Sequence, residues 1–241
     1  LLFKASWCPL LAAFSVIMEE VDDPRIIELL LKGFEAAVHI ASTFFMDVER
    51  DAFVSTLAKF TLLHTKDKQM KDKHVEAIKT ILRIAFLEGD YLEDSWGTIQ
   101  RAVSQLNKKH QLLDGARDDA SFFAGAADTP RGGAGAPAEA QPTREQQEYL
   151  YVLPLQDQID RAEIERIYSN SSNLNSEAVI HFVTHLVKVS AAELAEAREP
   201  SIFSMQKIVE TAAANMDRVR IVWSQIWKIL QVHFQNVGCH E

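Results

Sequence analysis

The segment from Pro200 to Gly238 constrains the fold most strongly, because its apolar residues recur at the spacing of a helix face in two separate runs. The runs meet near residues 215–217, where Asn and Asp side chains compete for the backbone and favour a tight turn. Two helices on so short a connection are expected to form an antiparallel hairpin. The second run is apolar around much of its circumference, so we expect it to be covered on both sides. Its apolar residues are Val219, Trp223, Ile226, Trp227, Leu230 and Phe234.

Helical periodicity continues along most of the chain and predicts an all-α protein of about nine to ten helices. Asp23 followed by Pro24 is typical of a helix cap and a first helical position, and the apolar stripe of that helix runs on to Phe45. Ser190 and Glu193 are expected to form a capping box that begins another short helix. No segment shows the sustained alternation of a β-strand.

A weak internal repeat favours a helical solenoid. Shifting the chain by 127 positions pairs Trp96 with Trp223, and shifting it by 89 pairs Trp7 with Trp96. Both shifts are near multiples of the roughly 42–45 residues of a HEAT or armadillo unit. We therefore predict a HEAT/armadillo-like solenoid whose core includes Trp7, Trp96, Trp223 and Trp227. The alternative is that helix pairs with buried aromatic residues align by chance.

Composition divides the chain into three parts. Residues 115–148 hold five of the nine glycines and three of the seven prolines, which predicts a disordered linker or surface loop. The flanking parts, 1–114 and 149–241, are predicted to stack on one another as one continuous solenoid. The chain begins without methionine and in mid-pattern, so we expect it to be a piece of a longer protein whose end faces are covered by neighbours.

Charge and cysteine content exclude several classes of function. The net charge of −9 is spread evenly over the three parts, which argues against a nucleic-acid surface. Two distant cysteines offer no disulfide framework and suit a reducing cytosol, and Cys8 is expected to be a small buried residue. The longest apolar run, from Cys8 to Met18, is too short to cross a bilayer.

Motifs of catalysis are missing from the sequence. It contains neither a GxxxxGK[ST] phosphate loop nor a GxGxxG turn after a strand. His181 and His185 are spaced to share a zinc ion, but HFVTH lacks the catalytic glutamate of zinc proteases and no third ligand is evident nearby. Two ordinary helix histidines are the favoured interpretation, and Cys239 with His240 is read as incidental. We therefore predict no catalytic residue, no cofactor and no metal.

Basic residues are concentrated at two places. Four lysines lie in one inter-helix segment that could meet an anionic membrane or an acidic partner, at about 1 kcal/mol per basic residue. The alternative is a solvated loop offset by Asp67 and Asp72. Arg218 and Arg220 form the second group; alternatively they bond helix-end carbonyls or pair with Asp217. The four lysines are Lys66, Lys68, Lys71 and Lys73.

Four stretches of the chain resemble the large Golgi Arf guanine-nucleotide exchange factors of the BIG class. They are WCPLLAAFSV (7–16), FMDVERDAFVSTLAKFTLL (45–63), GDYLEDSW (89–96) and FSMQKIVETAAANMDRVRIVWSQIWKILQVHFQNVGC (203–239). They follow one another along this chain in the same order as in that family, and they cover most of the chain outside 115–148. The resemblance places the chain after the catalytic Sec-seven exchange domain, in the first "homology downstream" (HDS) region, which is helical-repeat in character. Nothing here resembles the exchange domain itself.

The resemblance implies a non-catalytic regulatory domain of an exchange factor that is peripheral on Golgi and trans-Golgi membranes. Such a domain controls recruitment and autoinhibition by binding GTP-loaded Arf at the membrane. The implied partners are GTP-loaded Arf, the anionic membrane surface, other domains of the same parent chain, and a second copy of the chain. The alternative is a structural helical-repeat spacer or dimerisation scaffold without a ligand of its own.

Overall fold

A computed structural model describes residues 2–114, 149–155, 158–196 and 200–239. These residues are all-α, as the periodicity predicts, and include nine helices of at least nine residues. The segment 115–148 lies outside the described residues, so its disorder stays a prediction. The helices are α1 Leu2–Glu20, α2 Pro24–Thr43, α3 Asp47–Phe60, α4 Asp72–Leu87, α5 Ser95–Leu113, α6 Arg161–Ser169, α7 Ser176–Leu194, α8 Phe203–Ala214 and α9 Arg220–Gly238.

The helices form two layers. The odd-numbered helices α1, α3, α5, α7 and α9 pack side by side in that order, and the even-numbered helices α2, α4, α6 and α8 do the same. Contacts between the layers are most extensive between α2 and α3 and between α7 and α8. Each pair of consecutive helices adds one helix to each layer, so the arrangement is a helical solenoid. That its repeats are of the HEAT or armadillo type remains a prediction.

One continuous core runs through both layers and joins the parts on either side of residues 115–148. Aromatic rings mark its course. Phe34 meets Phe53 edge-on with ring centroids 6.0 Å apart, and Trp96 of α5 meets Phe182 of α7 at 4.7 Å. Edge-to-face pairs of this kind add stability beyond the area that they bury.

Of the two helix caps discussed above, the structure contains the one at Asp23 and lacks the one at Ser190. The Asp23 carboxylate accepts hydrogen bonds from the backbone N–H groups of Arg25 and Ile26, as predicted. The predicted capping box of Ser190 and Glu193 is wrong, because α7 continues to Leu194 without a break. Glu193 instead caps the next helix from outside, accepting hydrogen bonds from the Ser204 backbone N–H at 2.9 Å and the Ser204 hydroxyl at 2.7 Å.

The hairpin predicted for residues 200–238 is also wrong. Helices α8 and α9 both pack on α7 and make at most marginal contact with each other. Ile226 and Leu230 are buried, whereas Ile221, Trp227 and Val232 are exposed. The second run is therefore covered on one side, because α9 ends its layer.

The four tryptophans have unequal environments. Trp96 lies in a central helix with neighbours on both sides, is fully buried, and donates its indole N–H to the Gly89 carbonyl at 3.1 Å. Trp7 in α1 and Trp223 in α9 are half-buried, because each lies in an end helix of the same layer. Trp227 is 50% exposed, which corrects its expected place in the core.

Helix α1 forms one end of the odd layer. Phe3, Trp7 and Phe14 pack against the core, and the lack of a side chain at Gly33 admits the Phe14 ring, which an added Cβ would approach to 2.6 Å. Cys8, expected to be buried, is exposed on the other face.

Among the described residues α1 alone has the length and apolar composition of a membrane span, with a mean hydropathy of 1.3. This corrects the expectation that every apolar run is too short, although core helices and signal sequences share the same property.

Candidate partner-binding edge

Lys73 does not belong to an exposed basic loop. It lies in the first turn of α4, and its buried ammonium group donates hydrogen bonds to the carbonyls of Met18 at 2.7 Å, Glu19 at 3.2 Å and Val21 at 3.0 Å. Its Nζ also lies 2.8 Å from a carboxylate oxygen of Asp22. Helix C-termini leave carbonyl groups without partners, and cations satisfy them well. Lys73 therefore closes the end of α1 and is removed from the surface expected to meet a membrane.

The other lysines of this segment are exposed. Lys71 Nζ lies 2.6 Å from the second carboxylate oxygen of Asp22. Hydrogen bonds from Lys71 and Lys73 lower the pKa of Asp22 to about 2. The basic surface is thus smaller than the sequence indicates, since Lys73 is buried and Lys71 is paired with Asp22.

Arg218 takes the structural alternative that the sequence left open. Its guanidinium donates hydrogen bonds to the carbonyls of Ser171 at 2.9 Å, Ser172 at 3.1 Å and Leu174 at 2.6 Å, all in the connection between α6 and α7. It thereby fastens the start of α9 to the neighbouring connection. Arg220, the first residue of α9, is exposed.

The most unusual exposed surface is the connection between α2 and α3 together with the one between α4 and α5. We call it the phenylalanine edge and define it as Phe44, Phe45, Val48 and Tyr91. Phe44 is 69% exposed and Phe45 is 73% exposed, although the apolar pattern had placed Phe45 on the buried stripe of α2. The Phe45 and Tyr91 rings meet edge-on with centroids 6.4 Å apart, which joins the two connections into one surface.

The backbone at Phe45 is strained. Helix α2 ends in a turn in which the Met46 N–H bonds to the Ala41 carbonyl at 2.8 Å and the Phe45 N–H to the Ser42 carbonyl at 3.3 Å. This turn places Phe45 in the left-handed region at φ 52°, where helices usually have glycine. A bulky residue there costs about 1–2 kcal/mol, and an exposed ring regains little of it by burial. Strain held at an exposed aromatic residue is typical of a functional position.

A buried arginine holds the phenylalanine edge in place and leaves it acidic. Arg50 of α3 donates a hydrogen bond to the Tyr91 carbonyl at 2.7 Å and lies 3.0 Å from a carboxylate oxygen of Asp47. Asp51 and Glu93 lie 3.4 and 3.5 Å from other nitrogens of the same guanidinium. Three partly exposed carboxylates thus surround one buried cation, and the local excess of charge is negative.

The phenylalanine edge borders an open groove of about 700 Å³ between the start of α1, the end of α2 and the start of α3. The lysine segment follows the other end of α3. Because α3 has 14 residues, the two surfaces lie about 20 Å apart on opposite edges of the stack. Sequence reasoning missed this surface because helical spacing assigns Phe45 to the buried face of α2, whereas the chain turns at this residue.

Comparison with known proteins gives one consistent result. The chain is 39% identical over its whole length to brefeldin A-inhibited guanine nucleotide-exchange protein 2 of Arabidopsis thaliana, and 34% identical over 99% of its length to protein 1 of the same name from Homo sapiens. It spans 15% and 14% of those two relatives. No family model matches the chain. The chain therefore corresponds to one region of the brefeldin A-inhibited guanine nucleotide-exchange protein (BIG) family.

Proposed function

We propose that this chain is the first HDS region of a large Arf exchange factor and that it recruits the parent protein to Golgi and trans-Golgi membranes by binding GTP-loaded Arf. The observation that carries the proposal is the similarity over the whole chain to a small part of the relatives, about 15% of their length. A region of this size made of stacked helices suits protein recognition. We propose that it has no exchange activity of its own.

The phenylalanine edge is the surface that we assign to this recognition. Two exposed phenylalanines on a strained turn, beside an open groove, offer the aromatic contacts that dominate many protein interfaces. The surrounding Asp47, Asp51 and Glu93 favour a partner whose apolar contact is bordered by Lys or Arg, because complementary charge speeds and orients association. The same carboxylates disfavour direct contact of this edge with an anionic membrane.

Recruitment of this kind requires discrimination between the two nucleotide states of Arf. A site with equal affinity for both states shifts no equilibrium, however tightly it binds. Membrane-bound Arf in its GTP state, which is the product of exchange, would then hold the parent protein on the membrane where that product accumulates. Without it, the same edge is free to contact other domains of the parent chain, which is our proposal for autoinhibition.

Liposome flotation tests the proposal with the 241-residue chain and Arf anchored in either nucleotide state. We expect recovery with GTP-loaded Arf to exceed recovery with GDP-loaded Arf several-fold. Equal recovery in the two states would refute recruitment. Phe44→Ser with Phe45→Gly should abolish the difference, whereas Trp227→Ser, which removes an exposed aromatic residue at the other end of the stack, should preserve it. If recovery still depends on GTP after the double substitution, Arf binds at a surface other than the phenylalanine edge.

A structural spacer or dimerisation scaffold is the second candidate function, favoured by the exposed apolar residues on the outer side of α9. Deleting the region from the parent protein separates the two. The spacer function predicts a changed oligomer mass, whereas recruitment predicts lost membrane localisation with assembly intact.

Direct lipid binding through Lys66, Lys68 and Lys71 is tested by their replacement with Glu, which should abolish pelleting with anionic liposomes that lack Arf.

A further inference from the structure

His181 and His185, which the sequence favours as ordinary helix histidines, have a third potential ligand in the folded chain. His181 and His185 lie one turn apart on α7, and Asp94 immediately precedes α5 in the neighbouring position of the same layer. One ligand atom from each of the three side chains lies within 4.8 Å of the other two. Asp94 is 87 positions from His181 in sequence, so only packing of α5 against α7 reveals the group.

We propose that Asp94, His181 and His185 bind a zinc ion that fastens α5 to α7. Two histidines at i and i+4 on one helix face are a recognised zinc-binding arrangement, and two imidazoles with one carboxylate are a ligand set that zinc accepts. Helix α5 precedes residues 115–148 and α7 follows them. The ion would therefore join the two parts of the stack.

The distances fit a zinc ion after small side-chain adjustments. Zinc bonds of about 2.0–2.1 Å hold tetrahedral ligand atoms about 3.3 Å apart. The His185 Nε2 and an Asp94 carboxylate oxygen already lie 3.0 Å apart. The remaining separations, at most 4.8 Å, require closure by about 1.5 Å, which side-chain rotation supplies. Three protein ligands leave the fourth position to water.

The surroundings prepare His185 for this role. Its ring lies against the backbone of α5 at Gly97, where an added Cβ would approach Nδ1 to 2.8 Å. This contact fixes the ring while Nε2 points to Asp94.

Titration of the metal-free 241-residue chain with Zn²⁺ tests the site by calorimetry and thermal unfolding. We expect one high-affinity ion per chain, and a rise in Tm of about 5–10 °C at a zinc concentration 100-fold above Kd. His181→Asn and Asp94→Asn should each weaken binding at least about tenfold. His181 is only partly buried and Asp94 is exposed, so the metal-free variants should keep their helical circular dichroism and cooperative melting.

Two control variants make the result specific. His39→Asn removes another exposed histidine, whose Nδ1 lies 2.7 Å from a Glu88 carboxylate oxygen, and Cys239→Ser removes a thiol near the last residues of the chain. Both should bind Zn²⁺ as the unaltered chain does. Unchanged affinity in His181→Asn, or equal loss in the His39 control, would overturn the proposal. Such a failure would leave the Arf proposal untouched, because the flotation test changes Phe44 and Phe45 and none of the three proposed ligands.

Discussion

Lys73 Nζ lies 2.7 Å from the backbone carbonyl oxygen of Met18, across 55 positions of sequence. This contact ties the start of α4 to the end of α1, and the carbonyls of Glu19 and Val21 share the same ammonium group. The sequence predicts Lys73 to lie in a solvated basic loop. In the structure it instead donates the hydrogen bonds that attach the end of α1 to α4. Its neighbour Lys71, which pairs with the same Asp22, remains exposed.

Lys73→Met should lower the free energy of unfolding by about 2–3 kcal/mol, because several buried carbonyls lose a charged donor. Lys71→Met, two positions away, should change it little, since exposed ion pairs contribute little. Urea denaturation of both variants measures the difference. Equal effects would show that Lys73 is not the fastening of α1.

Phe45→Gly should raise the free energy of unfolding by about 1 kcal/mol, because glycine adopts the left-handed conformation without strain. Phe44→Ala is the matched control, since φ at Phe44 is −103° and its substitution relieves nothing. Thermal unfolding compares the two. A stabilised Phe45→Gly chain that no longer responds to GTP-loaded Arf would show strain retained for function; a destabilised one would contradict the structural account.

Glu193→Ala should destabilise the chain by about 2–3 kcal/mol, because the Ser204 N–H loses its cap and the Ser104 hydroxyl loses its acceptor. Burial raises the pKa of Glu193, while its hydrogen bonds with Ser104 and Ser204 oppose that shift. Glu196→Ala, at an exposed position just after α7, serves as the control. Denaturation midpoints that fall equally would rule out the capping role.

Trp96→Ala should lower stability by about 3–5 kcal/mol, as expected for a fully buried aromatic side chain. Trp227→Ala should cost less than about 1 kcal/mol, because half of its side chain is already exposed. Both are tryptophans of odd-layer helices, so the pair isolates the effect of position in the stack. Similar losses would mean that α9 is covered on its outer side in solution.

Acid should weaken the fastening of α1. The pKa of Asp22 is about 2 in the folded chain against an ordinary value of 3.8, so the carboxylate contributes stability above pH 3.8 that is lost as pH falls towards 2. Asp22→Asn should therefore be less stable than the unaltered chain at pH 5, and the difference should shrink at pH 2.5. A constant difference across this range would exclude the ion pair as its source.

Local sequence patterns determine the helices because each pattern reports one helix face. The stripe beginning at Ile27 and the cap at Asp23 are sufficient to predict α2, and the all-α class follows from many such stripes. Trp7, Trp96 and Trp223, which the internal repeat aligns, lie on helices of the same layer. An apolar stripe of this kind indicates which face of its own helix is directed towards the core.

Tertiary structure alone decided whether a neighbour is present on that side. Trp96 is buried because α3 and α7 flank its helix, whereas Trp227 is half exposed because α9 ends the layer. Contact between the start of α4 and the end of α1 buried Lys73, and packing of α5 against α7 placed Asp94 beside His181 and His185. The turn that ends α2 left Phe45 outside. Burial, ion pairing and shared ligands depend on groups far apart in sequence, and periodicity within one helix carries no information about them.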